Sequence, residues 1–194
     1  MDGLYALKFW YAARLTPLRA RLIAARISPN VVSLAGVLFA AGAGAVLAFG
    51  SPRWWTALSV GVLLGLRLAC ANLDGGLARA TGRTSAFGGV VNELGDRLAD
   101  LAAIAGCLAL APSSLVAAAA LAAVLPSWVA LAGAAAGAPR INGGPVGKTE
   151  RAALLVVIGL SGAAVPILLV IVAGSLLTAG LRLASVHRLL AGAR

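Results

Sequence analysis

Four carboxylates crowd one stretch of this sequence. Asp74, Glu93, Asp96 and Asp100 lie within 27 residues, while the other two acids of the chain, Asp2 and Glu150, stand apart. Around them the chain is 61% hydrophobic and only 11% charged, so an acid is a rare residue and a group of four carries information. On the insertion scale each carboxylate costs roughly 2.5–3.5 kcal/mol at the centre of a membrane helix. Such a group calls for a cation or a polar cavity. Carboxylate oxygens are hard ligands that can take up a metal ion. The plainer chemistry is ion pairing within the protein, since Glu93 and Arg97 are four apart on one helical face and Arg67 falls inside the same apolar region.

The elements that must position these acids are membrane helices. A soluble domain is about half apolar and about a quarter charged, whereas here mean hydropathy is +0.97. Too little polar surface exists to cover a globule in water. Apolar runs of about 20 residues, the length that crosses a hydrocarbon core of about 30 Å, recur at 30–50, 55–78, 86–111, 114–137, 150–163 and 165–186. Ala and Gly abound in them, as close packing of membrane helices requires. The expected fold is therefore all-α: a polytopic bundle of six transmembrane helices over residues 29–194. Residues 1–28 precede it, with Leu4, Leu7, Tyr11, Leu15, Leu18 and Leu22 recurring at 3–4 spacing against a basic face. That pattern predicts an amphipathic interfacial helix, with a second helical piece starting at Thr16-Pro17. Between and beyond the spans, basic residues fall on alternate connections. Lys8, Arg14, Arg19, Arg21 and Arg26 precede the first span; Arg79, Arg83, Arg140, Lys148 and Arg151 lie in the second and fourth connections; Arg182, Arg188 and Arg194 close the chain. The other three connections hold only Arg53. This asymmetry places both termini and the acid-bearing ends on the cytoplasmic side of the cell membrane, and accounts for the net charge of +10 without nucleic acid. Cys70 and Cys107 both fall inside spans and suggest no disulfide framework or metal finger.

The spacing of the acids says more than their number. The sequence runs Asp74-Gly75-Gly76-Leu77-Ala78-Arg79, then eight residues, then Gly88, with Asn92 and Asp96 following at steps of four. This resembles the signature of the CDP-alcohol phosphotransferase family, D-x-x-D-G-x-x-A-R, eight residues, G-x-x-x-D-x-x-x-D. Ser28-Pro29-Asn30 and Gly147-Lys148-Thr149 also stand where family members carry similar elements. The resemblance covers nearly the whole chain. It implies a membrane enzyme that moves a phospholipid head group: an acceptor hydroxyl attacks the β-phosphorus of CDP-diacylglycerol and CMP leaves. It further implies Mg2+ or Mn2+, which neutralise and polarise the diphosphate, and a homodimer in the bilayer. By the same resemblance Asp74 is a metal ligand, Asp96 is both ligand and general base, and Gly75, Ala78, Arg79 and Gly88 line the CDP site. Arg79 suits phosphate because its planar fork presents several donors. Arg140, Lys148 and Arg151 either serve topology alone or bind an anionic acceptor.

Two positions depart from the signature. Its first Asp falls on Ala71, which offers no ligand, and its third on Asn92, which offers a neutral carbonyl oxygen. One reading rebuilds the site, with Glu93 and Asp100 flanking Asp96 at helical spacing and restoring four carboxylates to a metal set of Asp74, Asn92, Glu93, Asp96 and Asp100. A slip of one helical turn would make Asp96 and Asp100 the final pair, but it would require glycine at position 92. The alternative is a non-catalytic protein of the same fold that binds a nucleotide-lipid or a partner. Persistence of Glu93, Asp96 and Asp100 inside a membrane helix, at such cost, argues against simple decay.

Overall fold

Chemistry at one end of a helical bundle requires a packed core to fix that end, and the alternating helices provide it. The computed structural model describes residue 11 and residues 13–192. Its helices are α1 (Thr16–Ala24), α2 (Pro29–Phe49), α3 (Trp54–Ala80), α4 (Ala86–Ala105), α5 (Ser113–Ala135), α6 (Lys148–Ser161) and α7 (Ala164–Ala191), with a 3-10 turn, Gly106–Ala109, closing α4. No strand occurs among the described residues. Six of the helices coincide with the six expected apolar segments. Four of them, α2, α3, α5 and α7, are long and apolar enough to cross a membrane by length and composition. α4 carries Glu93, Asp96, Arg97 and Asp100, and α6 has only 14 residues. Leu4 and Leu7 of the expected N-terminal helix lie outside the described residues.

Local sequence explains where each helix begins and ends. Ser28 caps α2 by accepting the Val31 N–H, with Pro29 in the first turn, where its missing donor costs nothing. Ser85 accepts the Gly88 N–H at 2.9 Å to open α4. Glu150 reaches back to the Gly147 N–H at 3.0 Å at the start of α6. Gly162, at φ +72°, ends α6 in the left-handed conformation that glycine adopts without penalty. α1 starts at the Thr16-Pro17 step and buries no residue fully. Its flanking Leu15 and its Leu22 instead pack on Val32, Cys70, Leu73 and Leu77, and Tyr11 donates its hydroxyl to Gly65 O at 3.2 Å.

The main core draws on alternate halves of successive helices: Ala40, Ala43 and Leu47 of α2, Val60 and Leu64 of α3, Ala103 and Ile104 of α4, Ala119 and Ala123 of α5, Leu155 and Ile158 of α6, and Leu168 and Ile171 of α7. These halves share one end of an antiparallel bundle. Small residues let backbones close in, most tightly where Gly44 of α2 meets Gly106; a Cβ at Gly106 would overlap the Gly44 backbone. The opposite end, formed by the first turns of α2, α4 and α6 and the last turns of α3, is left for polar residues.

Candidate functional site

At that end, one cavity between α2, α3 and α4 brings together Ser33, Arg67, Ala71, Asp74, Asn92 and Asp96, closed by small and apolar side chains. All four signature positions (71, 74, 92 and 96) therefore face the same space, including the two whose residues depart from the signature. Asp74 is buried; its Oδ2 accepts from the Ser33 hydroxyl at 2.8 Å and its Oδ1 from the Gly75 N–H at 2.6 Å. Ser33 was not foreseen. The only sequence signal for it is its place one turn into the helix that Ser28-Pro29-Asn30 opens.

The acids of α4 form a stripe at positions 93, 96 and 100, and each meets a cation from residues 140–151. Glu93 pairs with Arg140. Asp96 Oδ2 lies 2.7 Å from Lys148 Nζ, and Asp100 Oδ2 lies 2.6 Å from Arg151 Nη2. Arg67 crosses from α3 to the same stripe, its Nη2 standing 2.9 Å from Asp100 Oδ1 and 3.3 Å from Asp96 Oδ1, and it donates to the Asp96 carbonyl at 3.2 Å. Exposure grades along this zipper: Asp100 and Arg151 side chains are 9% and 7% exposed, whereas Lys148 and Arg140 reach 38% and 45%. Arg97 turns to its neighbour Asp96 at 3.6 Å, where helical spacing alone points to Glu93 or Asp100. Long-range partners at 140 and 151 had already taken those acids.

The residues expected to line a nucleotide site are placed differently. Gly75, Ala78, Arg79 and Gly88 sit at the polar ends of α3 and α4 outside this cavity, and the Arg79 side chain is exposed. Gly75 packs against the Arg79 guanidinium. The segment carrying Lys148 is held by α7: Thr178 Oγ1 accepts from Val146 N at 3.1 Å, and Arg182 donates to Gly143 O and to Pro126 O at 2.8 Å each. Arg182, read in sequence as a closing cation, thus ties this segment to α5.

Among the described residues no three acids, histidines or cysteines stand close enough to hold a metal together. Asp74 and Asp96 face one cavity with the Asn92 amide. Both oxygens of Asp100 are committed to arginines. This donor set fits one divalent ion, completed by water or substrate oxygens.

Comparison with known proteins bears on the family and the fold. The family model for CDP-alcohol phosphatidyltransferase matches residues 26–186. The chain is 30% identical over 167 residues to inner membrane protein YnbA of Escherichia coli K12, covering 84% of this chain and 81% of that protein. Two crystal structures of Mycobacterium tuberculosis phosphatidylinositol phosphate synthase, PgsA1, share its fold. The one with CDP-DAG bound superposes with a TM-score of 0.70 at 22% identity, covering 88% of this chain and 92% of that one. The one in complex with manganese and citrate gives 0.71 at 23% identity, covering 89% and 88%. A family match spanning most of an all-helical, multi-pass chain, with the four signature positions gathered at one cavity, shows that this protein belongs to the CDP-alcohol phosphatidyltransferase family.

Proposed function

We propose that the protein transfers a phospholipid head group at the cytoplasmic face of the cell membrane, from CDP-diacylglycerol to a hydroxylated acceptor. The observation that carries this reading is the shared cavity of positions 71, 74, 92 and 96, where two carboxylates remain. Asp74, Asp96 and Asn92 would hold one Mg2+ or Mn2+, which supplies charge neutralisation to the diphosphate. Ser33 fixes the Asp74 carboxylate in place. Asp96 accepts the acceptor hydroxyl proton as the new oxygen–phosphorus bond forms, and the bond to CMP breaks. Lys148, more than a third exposed beside Asp96, is placed to turn toward an anionic acceptor; Arg140 is similarly exposed. Arg151 is buried on Asp100 and acts in positioning. Gly75, Ala78, Arg79 and Gly88 would receive the nucleotide at the mouth. In this reading all six long segments cross the bilayer with both termini in the cytoplasm, residues 1–28 lie at the interface, and two copies associate.

The test is CMP release by purified protein given CDP-diacylglycerol, Mg2+ or Mn2+, and glycerol 3-phosphate, inositol phosphate, inositol, serine or glycerol in turn. Acceptor-dependent CMP that falls about 100-fold or more in Asp96→Asn, the scale of a lost general base, supports the transferase. One observation favours the second reading, a non-catalytic binder of nucleotide-lipid: every acid of α4 in the site already has a protein cation as partner. That reading predicts CDP-lipid binding with no CMP from any acceptor.

A further inference from the structure

Arg67, Arg97 and Arg151 each keep a buried nitrogen that the ion-pair zipper leaves without a partner among the described residues, and of the three only Arg67 lines the cavity of the four signature positions. Its side chain is 4% exposed, its Nη2 is occupied by Asp96 and Asp100, and its Nη1 has no hydrogen-bond partner among the described residues. A buried guanidinium N–H without an acceptor is costly. This one belongs to a side chain lining the cavity that holds Asp74 and Asp96. Arg67 stands one helical turn from Ala71 on α3, so the two share a face, and both line that cavity. A carboxylate at 71 would lie within reach of the guanidinium and cover it. Alanine there supplies no acceptor, and the guanidinium, which also lines the neighbouring cavity beside Asp100 and Arg151, keeps a buried donor without a protein partner among the described residues.

We propose that Arg67 is a ligand-contacting residue of this site, donating from Nη1 to an anionic phosphoryl oxygen and standing as fixed positive charge where the signature has a metal-binding carboxylate. The proposal rests on the transferase-site reading above, and it makes Ala71 a feature of the site rather than a loss. Fixed charge from a guanidinium fits because Asp74 and Asp96 together balance a single divalent ion. The remaining anionic charge of a diphosphate then needs a protein cation within the same low-dielectric space.

The two views of Ala71 predict opposite signs. If the site is merely a depleted metal site, Ala71→Asp restores a ligand and tightens both Mn2+ and CDP. If Arg67 is the anion contact, the new carboxylate pairs with it, and CDP binding weakens about tenfold or more, the scale of a hydrogen bond to a charged group. Arg67→Lys is the companion variant. It keeps a positive charge for Asp100, and therefore the fold, but has no second fork nitrogen, so CDP binding weakens similarly while the melting temperature stays near that of the parent. The probe is CDP, titrated onto the purified full chain in detergent with and without Mn2+. Weakening in both variants supports the proposal. Tighter binding in Ala71→Asp, or unchanged binding in Arg67→Lys, overturns it while leaving the transferase reading intact. Failure of the unmodified protein to bind CDP overturns both.

Discussion

An aspartate whose two oxygens already meet arginines has little left to offer a ligand, and Asp100 is in that position between Arg67 and Arg151. Asp74 and Asp96 differ by lining the cavity of the four signature positions; Asp74 meets only the Ser33 hydroxyl and the Gly75 N–H, and the cation nearest Asp96, Lys148, is 38% exposed and can turn away. Removing one partner of a buried pair leaves an uncompensated charge, which costs about 3–5 kcal/mol. Asp100→Asn is therefore expected to lower thermal stability in detergent by that order. Glu93→Gln, whose partner Arg140 is 45% exposed, is expected to cost no more than about 1 kcal/mol. Equal effects from the two would mean that the gradient of burial does not set their roles. Metal content separates the same residues by another route. Mn2+ titrated by electron paramagnetic resonance is expected to bind at one ion per chain, to be lost in Asp74→Asn and to persist in Glu93→Gln. Two ions per chain would show that Glu93 or Asp100 leaves its cation to become a ligand.

The segment between α5 and α6 decides whether Lys148 reaches Asp96, and glycine chemistry decides the path of that segment. Gly144 has φ +128°, a conformation other residues rarely adopt, and a Cβ there would also collide with Thr178. Gly144→Ala is expected to lift the segment from α7, cost about 1–3 kcal/mol, and reduce CMP release more than CDP binding. Thr178→Val should act the same way more mildly, because it removes the hydroxyl that accepts from Val146 N. Unaltered turnover in both variants would detach Lys148 from the reaction. From sequence, Gly143-Gly144-Pro145 reads only as a turn, since nothing local reveals that Thr178 and Arg182 hold it. The helices were legible for the opposite reason: the length of an apolar run is a local signal. The pairing of the four signature positions around one cavity was legible as well, because helical spacing aligns 71 with 74 and 92 with 96. The partners of Glu93 and Asp100 were not, for they come from residues 140–151 and depend on how α6 lies across α4.

At the scale of the whole molecule, α4 is an amphipathic helix turned outside in. Phe87, Val90, Leu94, Leu98 and Leu101 are exposed at 3–4 spacing, while Asn92, Asp96 and Asp100 face the interior cavities. In water such a face would be a liability; in lipid it is the required arrangement, with ionisable residues directed into the bundle. α4 fails a simple count of charges yet presents an apolar outer face, so it is expected to cross. α6, at 14 residues about 21 Å long, is shorter than the hydrocarbon core and carries the buried Arg151 in its first turn, so with six crossings its polar start is expected below the membrane surface. Exposed Trp54 and Trp55, the latter stacked under Arg53 at 4.4 Å, are expected to mark the opposite interface. Single cysteines at Thr84, Asn142, Ser51, Ser113 and Ser161 test this arrangement, because Cys70 and Cys107 are buried and give little background with a membrane-impermeant thiol reagent. Six crossings require Thr84→Cys and Asn142→Cys to label from the cytoplasmic side, and Ser51→Cys, Ser113→Cys and Ser161→Cys from the other. If α4 lay in the interface, Ser113→Cys would label with Thr84→Cys. The charged stripe would then have no bilayer to exclude water from it, and the low-dielectric environment on which the ion pairs and the Arg67 contact depend would be lost.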